Sequence, residues 1–114
     1  MKRLLFPFYI LLAFSCYAQQ PEKQLKKLNI DLPVLSKPVA NYVNVVRTGN
    51  LLFLSGKGPS NDKGVYTTGK VGKDLTLEEG IAAARLTAIN QLAVLKAELG
   101  ELSKVKRIVK VLGM

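Results

Sequence analysis

The chain of 114 residues contains no histidine and no tryptophan, and its one cysteine, Cys16, lies in an apolar N-terminal stretch. Without histidine there can be no histidine-based triad or histidine metal site within this sequence. Acidic residues are also scarce, 8 against 17 lysines and arginines. Glu22, Asp31, Asp62, Asp74, Glu78, Glu79, Glu98 and Glu101 fall mostly in expected turns and helix ends, so no metal-binding cluster is expected and no cofactor is assigned. Aromatic residues make up 7% of the chain, too few for the stacking platforms of single-strand nucleic-acid binders. The basic excess is therefore not read as a nucleic-acid footprint. Nucleotide loops are missing as well: Gly56-x-Gly58 has no third glycine, and no G-x-x-x-x-G-K-[ST] run occurs. Ser55 stands outside a G-x-S-x-G elbow and has no base beside it in sequence.

The start of the chain has the layout of an export signal. Lys2 and Arg3 precede an apolar run from Leu4 to Phe14, and Cys16-Tyr17-Ala18 offers small residues before Gln19. The run is shorter than the roughly 20 residues that a membrane-spanning helix needs. Residues 1–18 are expected to be a signal peptide cleaved after Ala18, sending the protein to the periplasm or the medium. The alternative is a lipoprotein signal with Cys16 lipidated, the one route by which this chain would meet a membrane. Cleavage after Ala18 removes the only cysteine, and with it disulfides and thiol chemistry.

Residues 19–40 are read as a short helix over Pro21–Ile30, with Leu25 and Leu28 on one face, and an extended lead-in that Pro33 and Pro38 keep from being helical. The domain proper, 41–114, opens on a hairpin. The β-rich runs Tyr42–Arg47 and Leu51–Ser55 flank Thr48-Gly49-Asn50, and Gly and Asn accept the positive φ of tight turns. Asn61-Asp62-Lys63-Gly64 is a second turn, followed by a weak strand over Val65–Val71 and a break at Gly72-Lys73-Asp74. The strongest element is a helix from Leu77 to Leu99, with Thr76 as N-cap, Glu79 completing a capping box and Gly100 ending it. Leu77, Ile81, Ala84, Ala88, Leu92, Leu95 and Leu99 form one apolar stripe, assigned to the sheet. Ala82, Leu86, Ile89 and Ala93 form a second, left for another partner. Ser103–Leu112 is expected to be a strand covered on both faces.

Where the second hairpin strand breaks at Ser55-Gly56-Lys57-Gly58-Pro59, the backbone loses side-chain bulk as it leaves the sheet. Ser55, Gly56 and Tyr42 are the candidate substrate-binding residues: a hydroxyl and backbone donors beside a phenol, able to hold a small carboxylate or a developing negative charge.

Three ordered stretches carry a family resemblance. They are N-Y-V-x-x-V-R-T-G-N-L-L-F-L-S-G-K-G-P, then G-K-V-G-K-D-L-T-L-E-E-G-x-A-A-A-R-L-T-A-x-N-Q-L-A-V-L-K, then V-K-R-I-V-K-V-L-G-M. Together they resemble the YjgF/RidA family, in its RidA-like branch named for endoribonuclease activity, from about Leu35 to Met114. The resemblance implies an α+β, chorismate-mutase-like fold: a helix packed on a mixed sheet, with three subunits closing a barrel. It also implies hydrolysis of reactive imines or enamines to a 2-keto acid and ammonia in clefts between subunits. By position, Tyr42, Ser55 and Gly56 match residues that line that cleft. The family's carboxylate-binding arginine and water-positioning glutamate are expected beyond Met114, so the catalytic residues are unassigned and the chain is read as C-terminally truncated, with an open sheet edge. Lys57-Gly58 stands where the well-studied deaminases have a Gln-Ile pair. The expectation is an exported imine/enamine hydrolase, trimeric when complete. The alternative is a non-catalytic, small-carboxylate-binding or chaperone-like member of the same family.

Overall fold

The computed structural model describes residues 20–35 and 42–114. The expected leader, 1–18, and the end of the lead-in around Pro38 lie outside the described residues. The architecture is α+β. Helix α1 (Pro21–Lys27) is followed by an antiparallel hairpin of β1 (Val45–Thr48) and β2 (Leu51–Leu54). The long helix α2 (Leu77–Leu99) and a 3-10 turn at Leu102–Lys104 come after it.

The hairpin forms where the β-branched and apolar runs place it. Thr48 pairs with Leu51 and Val45 with Leu54, so Gly49 and Asn50 alone make the connection. Gly49 has φ +57, the sign that the first position of a type II′ turn requires and that glycine adopts without steric cost. The register puts Val45, Leu52 and Leu54 on one face, all half-buried, and Val46, Leu51 and Phe53 on the other, all exposed. The ladder runs on by one bond, from the Ser55 N–H to Asn44 O at 3.0 Å.

Helix α2 starts and stops where its residues say. The Glu79 N–H donates to Thr76 Oγ1 at 3.2 Å and the Thr76 N–H donates to Glu79 Oε2 at 2.8 Å, closing the capping box. Such a cap contributes about 1 kcal/mol. At the other end Gly100, φ +79, donates its N–H to Lys96 O, and Lys104 Nζ donates to the Leu99 carbonyl. The buried face, however, is not the expected one. Leu77 and Ile81 are 64% and 61% exposed, and Ala84 and Ala88 are exposed too, while Leu92, Leu95 and Leu99 of that stripe are half-buried. Leu86 and Ala93 of the second stripe turn inward within the chain. Asn90, Ala93 and Val94 are buried, with Ala83 and Leu86 half-buried beside them. These five lie within an arc of about 100° on the far side of the helix. Counting apolar residues favours the Leu77–Leu99 stripe and gives Asn90 no weight. Its amide is instead bonded to the loop after β2, so the face carrying Asn90 turns inward and small residues there let the backbones approach.

The expected strand over Ser103–Leu112 is not formed. Leu102–Lys104 makes the 3-10 turn, and 105–114 carries no ladder, with Ile108, Val109, Val111 and Leu112 exposed. Backbone of this kind becomes a strand only when a neighbour accepts its N–H groups, and no described segment lies alongside. The sheet is accordingly two-stranded and antiparallel among the described residues, where a mixed sheet was expected. Val65–Val71 contributes only single bridges, Ser60 to Tyr66 antiparallel and Val71 to Leu75 parallel. The turn before it is as read: Asn61 Oδ1 accepts from the N–H groups of Lys63 and Val65, and Gly64 has φ +78.

Helix α1 ends at Lys27, three residues earlier than its sequence pattern allows, and Asn29 turns the chain with φ +52. It docks through one carboxylate. Glu22 Oε1 accepts the N–H of Leu102 at 2.5 Å, and Leu102 is itself buried against α2 as part of a small core with Ala93 and Val94. Hydrogen bonding to its own backbone amide lowers the Glu22 pKa. Partial burial opposes this, and the amides of Leu102 and Ser103 and the charge of Lys96 add to it. A carboxyl depressed in the folded state stabilises that state above its ordinary titration range, and the contribution is lost as pH falls through the depressed value. The Leu102 amide resonance is therefore expected to stay constant near neutrality and to move upfield on acidification, below the ordinary carboxylate range. In Glu22→Gln the same resonance should be flat with pH. A wild-type resonance that does not respond to acid would refute the docking role.

Candidate functional site

The loop after β2 is placed by two neighbouring residues of α2 that sequence reasoning did not single out. Asn90 Nδ2 donates to the carbonyls of Gly58 and Ser60, both at 3.0 Å, and lies 3.3 Å from Ser60 Oγ. Gln91 Nε2 donates to the Ser55 carbonyl at 3.0 Å, and Gln91 Oε1 is buried without a partner among the described residues. Adjacent residues on a helix point about 100° apart. Asn90 and Gln91 thus grip the two ends of the loop, and the segment between them, Gly56 to Gly58, is bridged over the helix. Only the general preference of asparagine and glutamine for backbone carbonyls hinted at this.

Of the three expected site residues, Ser55 and Tyr42 come together at one end of the hairpin. Ser55 Oγ lies 3.1 Å from Val43 O and 3.2 Å from Asn44 O, so its single proton is directed to the backbone leading into β1. Its lone pairs remain available, which makes it an acceptor and not a nucleophile with a base beside it. Gly56 sits next to it with open space where a side chain would project. Tyr42 is more than a third exposed and stands two residues before Asn44. Lys57, between Gly56 and Gly58, reaches back over the same end: its Nζ is 2.6 Å from Asn44 Oδ1 and 5.9 Å from the centroid of the Tyr42 ring. Gly58 is packed closely, since a methyl group there would come within 2.8 Å of the Tyr66 ring. An open groove of about 340 Å³ borders this end, lined by Leu35, Val43, Asn44, Val45, Val94 and Glu98 among others. Ser55, Gly56 and Lys57 lie beside that groove, not in its lining. Among the described residues, no group of three or more His, Cys, Asp or Glu is placed to hold a metal ion.

This assembly is a hydroxyl acceptor, a bare glycine and an oriented ammonium on a loop between hairpin and helix. The family model described as "YjgF/chorismate_mutase-like, putative endoribonuclease" matches residues 22–114. The chain belongs to this family. "Protein TCP17" of Trypanosoma cruzi is 45% identical over 86 residues, which is 75% of this chain and 54% of that protein. A crystal structure of a "putative endoribonuclease" from Shewanella oneidensis MR-1 superposes with a TM-score of 0.73 at 37% identity, covering 78% of this chain and 59% of that one. The protein Atu1372 of Agrobacterium tumefaciens, described as of unknown function, gives a TM-score of 0.68 at 40% identity over 81% of this chain and 56% of its own. The chain spans little more than half the length of each of these relatives. The YjgF, chorismate-mutase-like fold is thus shared with solved family members, and the hairpin, its loop and α2 all lie within the residues that match the family.

Proposed function

We propose that this member of the YjgF family acts on small 2-imino or 2-enamino acids, adding water across the C=N bond and releasing ammonia and a 2-keto acid. The observation that carries the reading is the loop itself. Asn90 and Gln91 hold the Ser55–Ser60 backbone against α2, so an anionic or carbonyl-bearing ligand can approach the Gly56 backbone without a side chain in the way. In the overall step water oxygen bonds to the imine carbon, the C–N bond breaks, and the nitrogen leaves as ammonia. The loop binds and orients. The group that activates water lies outside it, because the Ser55 proton is committed to carbonyl oxygens.

That same commitment favours one second reading, a non-catalytic module that binds small carboxylates or keto acids at this loop. Endoribonuclease activity, which the names of relatives mention, finds no general base for a ribose hydroxyl among Tyr42, Ser55, Gly56 and Lys57. The proposed setting is outside the cytoplasm, on the strength of the leader sequence, and the proposed assembly is a homotrimer, for which the exposed Val46, Leu51 and Phe53 and the outer stripe of α2 offer apolar surface.

One preparation tests these together. The protein recovered from the periplasm or medium of expressing cells is expected to begin at Gln19 and to scatter light as a trimer. It should also accelerate ammonia release from freshly generated 2-iminobutyrate well above the spontaneous rate. Binding of 2-oxobutyrate with no acceleration would replace the hydrolase by the binding module. Neither binding nor turnover would remove both.

A further inference from the structure

We propose that Gln91 is a positioning residue for this loop. By donating to the Ser55 carbonyl it turns the Ser55–Gly56 peptide so that the Gly56 N–H faces away from α2, where it can donate to an acceptor atom of a bound small molecule. The inference rests on the reading of the loop as a small-molecule site and names the side chain that sets the direction of its backbone donor.

The geometry follows from the peptide itself. No cis peptide bond occurs among the described residues, and in a planar trans unit the C=O of one residue and the N–H of the next point in opposite directions. Gln91 Nε2 reaches the Ser55 carbonyl from α2 at 3.0 Å. The Ser55 oxygen is therefore aimed at the helix and the Gly56 N–H away from it. Gly56 is exposed, nothing lies within 4 Å of the position a Cβ would take, and among the described residues its N–H has no hydrogen-bond acceptor. The neighbouring backbone is tied by other groups: the Ser55 N–H donates to Asn44 O at 3.0 Å, and Gly58 O accepts from Asn90. That leaves the Ser55–Gly56 unit to Gln91. The unit turns through ψ of Ser55 and φ of Gly56, and glycine accepts either sign of φ, so the direction has to be held from outside. Gln91 holds it with the donor edge of its amide, while Gln91 Oε1 is buried without a partner among the described residues. Reversing the amide would set that oxygen against the Ser55 oxygen with no proton between them. A donor on a carbonyl also polarises the peptide it belongs to and strengthens the N–H at the other end. Asn90 keeps the loop in place; Gln91 decides which way its first peptide points.

The test is amide hydrogen exchange on the full chain at neutral pH. In the unaltered protein the Gly56 N–H should exchange near the rate of an unprotected amide, while the Ser55 N–H is protected by its bond to Asn44, a readout that needs no variant to fold. Gln91→Glu puts an acceptor of almost the same shape in place of the donor. The Gly56 N–H should then turn inward and exchange about tenfold more slowly, as expected for a hydrogen bond to a charged group. Gln91→Lys brings a charge to the same position but keeps a donor, and Gly56 should exchange as in the unaltered protein. Loss of packing alone would act on both variants alike. Adding 2-oxobutyrate to the unaltered protein should slow Gly56 exchange and move its amide resonance. A protected Gly56 in the unaltered protein, or equal Gly56 exchange in it and in Gln91→Glu, would overturn the proposal. Resonance changes elsewhere with Gly56 unmoved would overturn the role of its N–H and leave a small-molecule site in another place. No change at any residue would remove the small-molecule reading, and Gly56 as its donor with it.

Discussion

Replacing Asn90 by aspartate should cost about 3 kcal/mol of folding stability and release the loop after β2. The two side chains have almost the same shape, so no cavity opens and no bulk is added. What changes is the sign of one group. Asn90 Nδ2 offers two protons to the carbonyls of Gly58 and Ser60, each 3.0 Å away, and the residue is only 7% exposed. A carboxylate oxygen in that place faces two carbonyl oxygens with no proton between them. Leaving a buried acceptor without its donor costs about 1–3 kcal/mol, and more when charge is involved. Gly58 O keeps the Ser60 N–H at 2.9 Å, so the larger loss falls on Ser60 O. Against a total stability of about 5–15 kcal/mol for a domain, this is a severe change. The measurement is urea denaturation: the midpoint of Asn90→Asp should drop with the slope unaltered, and recover in part in acid, where a protonated carboxyl can donate one bond. Ser60→Ala, which removes only the 3.3 Å contact to Oγ, should move the midpoint far less. An unaltered midpoint in Asn90→Asp would mean that the loop is held by something other than this amide.

The same residue marks the limit of what the sequence discloses. Local signals were legible because their causes are local. Thr76, Glu79 and Gly100 bound α2 through bonds that span three or four residues, and Gly49 sets the hairpin through its own φ. The family could be read as well, since its motifs are continuous runs. The ties from Asn90 to Gly58 and from Gln91 to Ser55 link residues more than thirty positions apart, and no spacing rule connects them. An apolar count gives Asn90 no weight, although its face, with Ala93 and Val94, is the buried one. Ser103–Leu112 failed for the opposite reason. Its composition suits a strand, but strand formation is a property of a pair, and it has no strand partner among the described residues. At the site, Tyr42, Ser55 and Gly56 could be read from the loop's own residues and again from the resemblance, while Asn44 and Lys57 emerge only once the hairpin folds β1 back beside β2. The consequence is functional: the residues that hold the loop and give it charge are the ones a motif search passes over.

Gly69→Ala should be nearly as damaging, and should act on the other end of α2. Gly69 has φ +137, a conformation that an L side chain rarely adopts, and a methyl group there would lie 2.9 Å from Asp74 Cβ and 3.2 Å from Leu75 Cγ. The first of these contacts is with an atom fixed to the backbone, so no side chain can swing aside to relieve it. Strained backbone of this kind costs about 1–3 kcal/mol, and the contact adds to that. The turn that follows depends on the position: Asp74 Oδ2 accepts the Lys70 N–H at 2.9 Å, and Lys70 O accepts from Lys73, Asp74 and Leu75. These bonds deliver Thr76 to its capping place, so distortion at 69 should fray the first turn of α2 while the Asn90 end stays attached. Hydrogen exchange separates the two ends. The Glu79 and Gly80 amides should lose protection in Gly69→Ala, and those near Asn90 should keep it up to the global unfolding limit. Gly56→Ala is the control, because nothing lies within 4 Å of the added methyl group and its φ is not positive, and its stability should match the wild type. Equal protection at Glu79 in Gly69→Ala and wild type would show that the turn tolerates a side chain, and the capping geometry would then be set from within α2 alone.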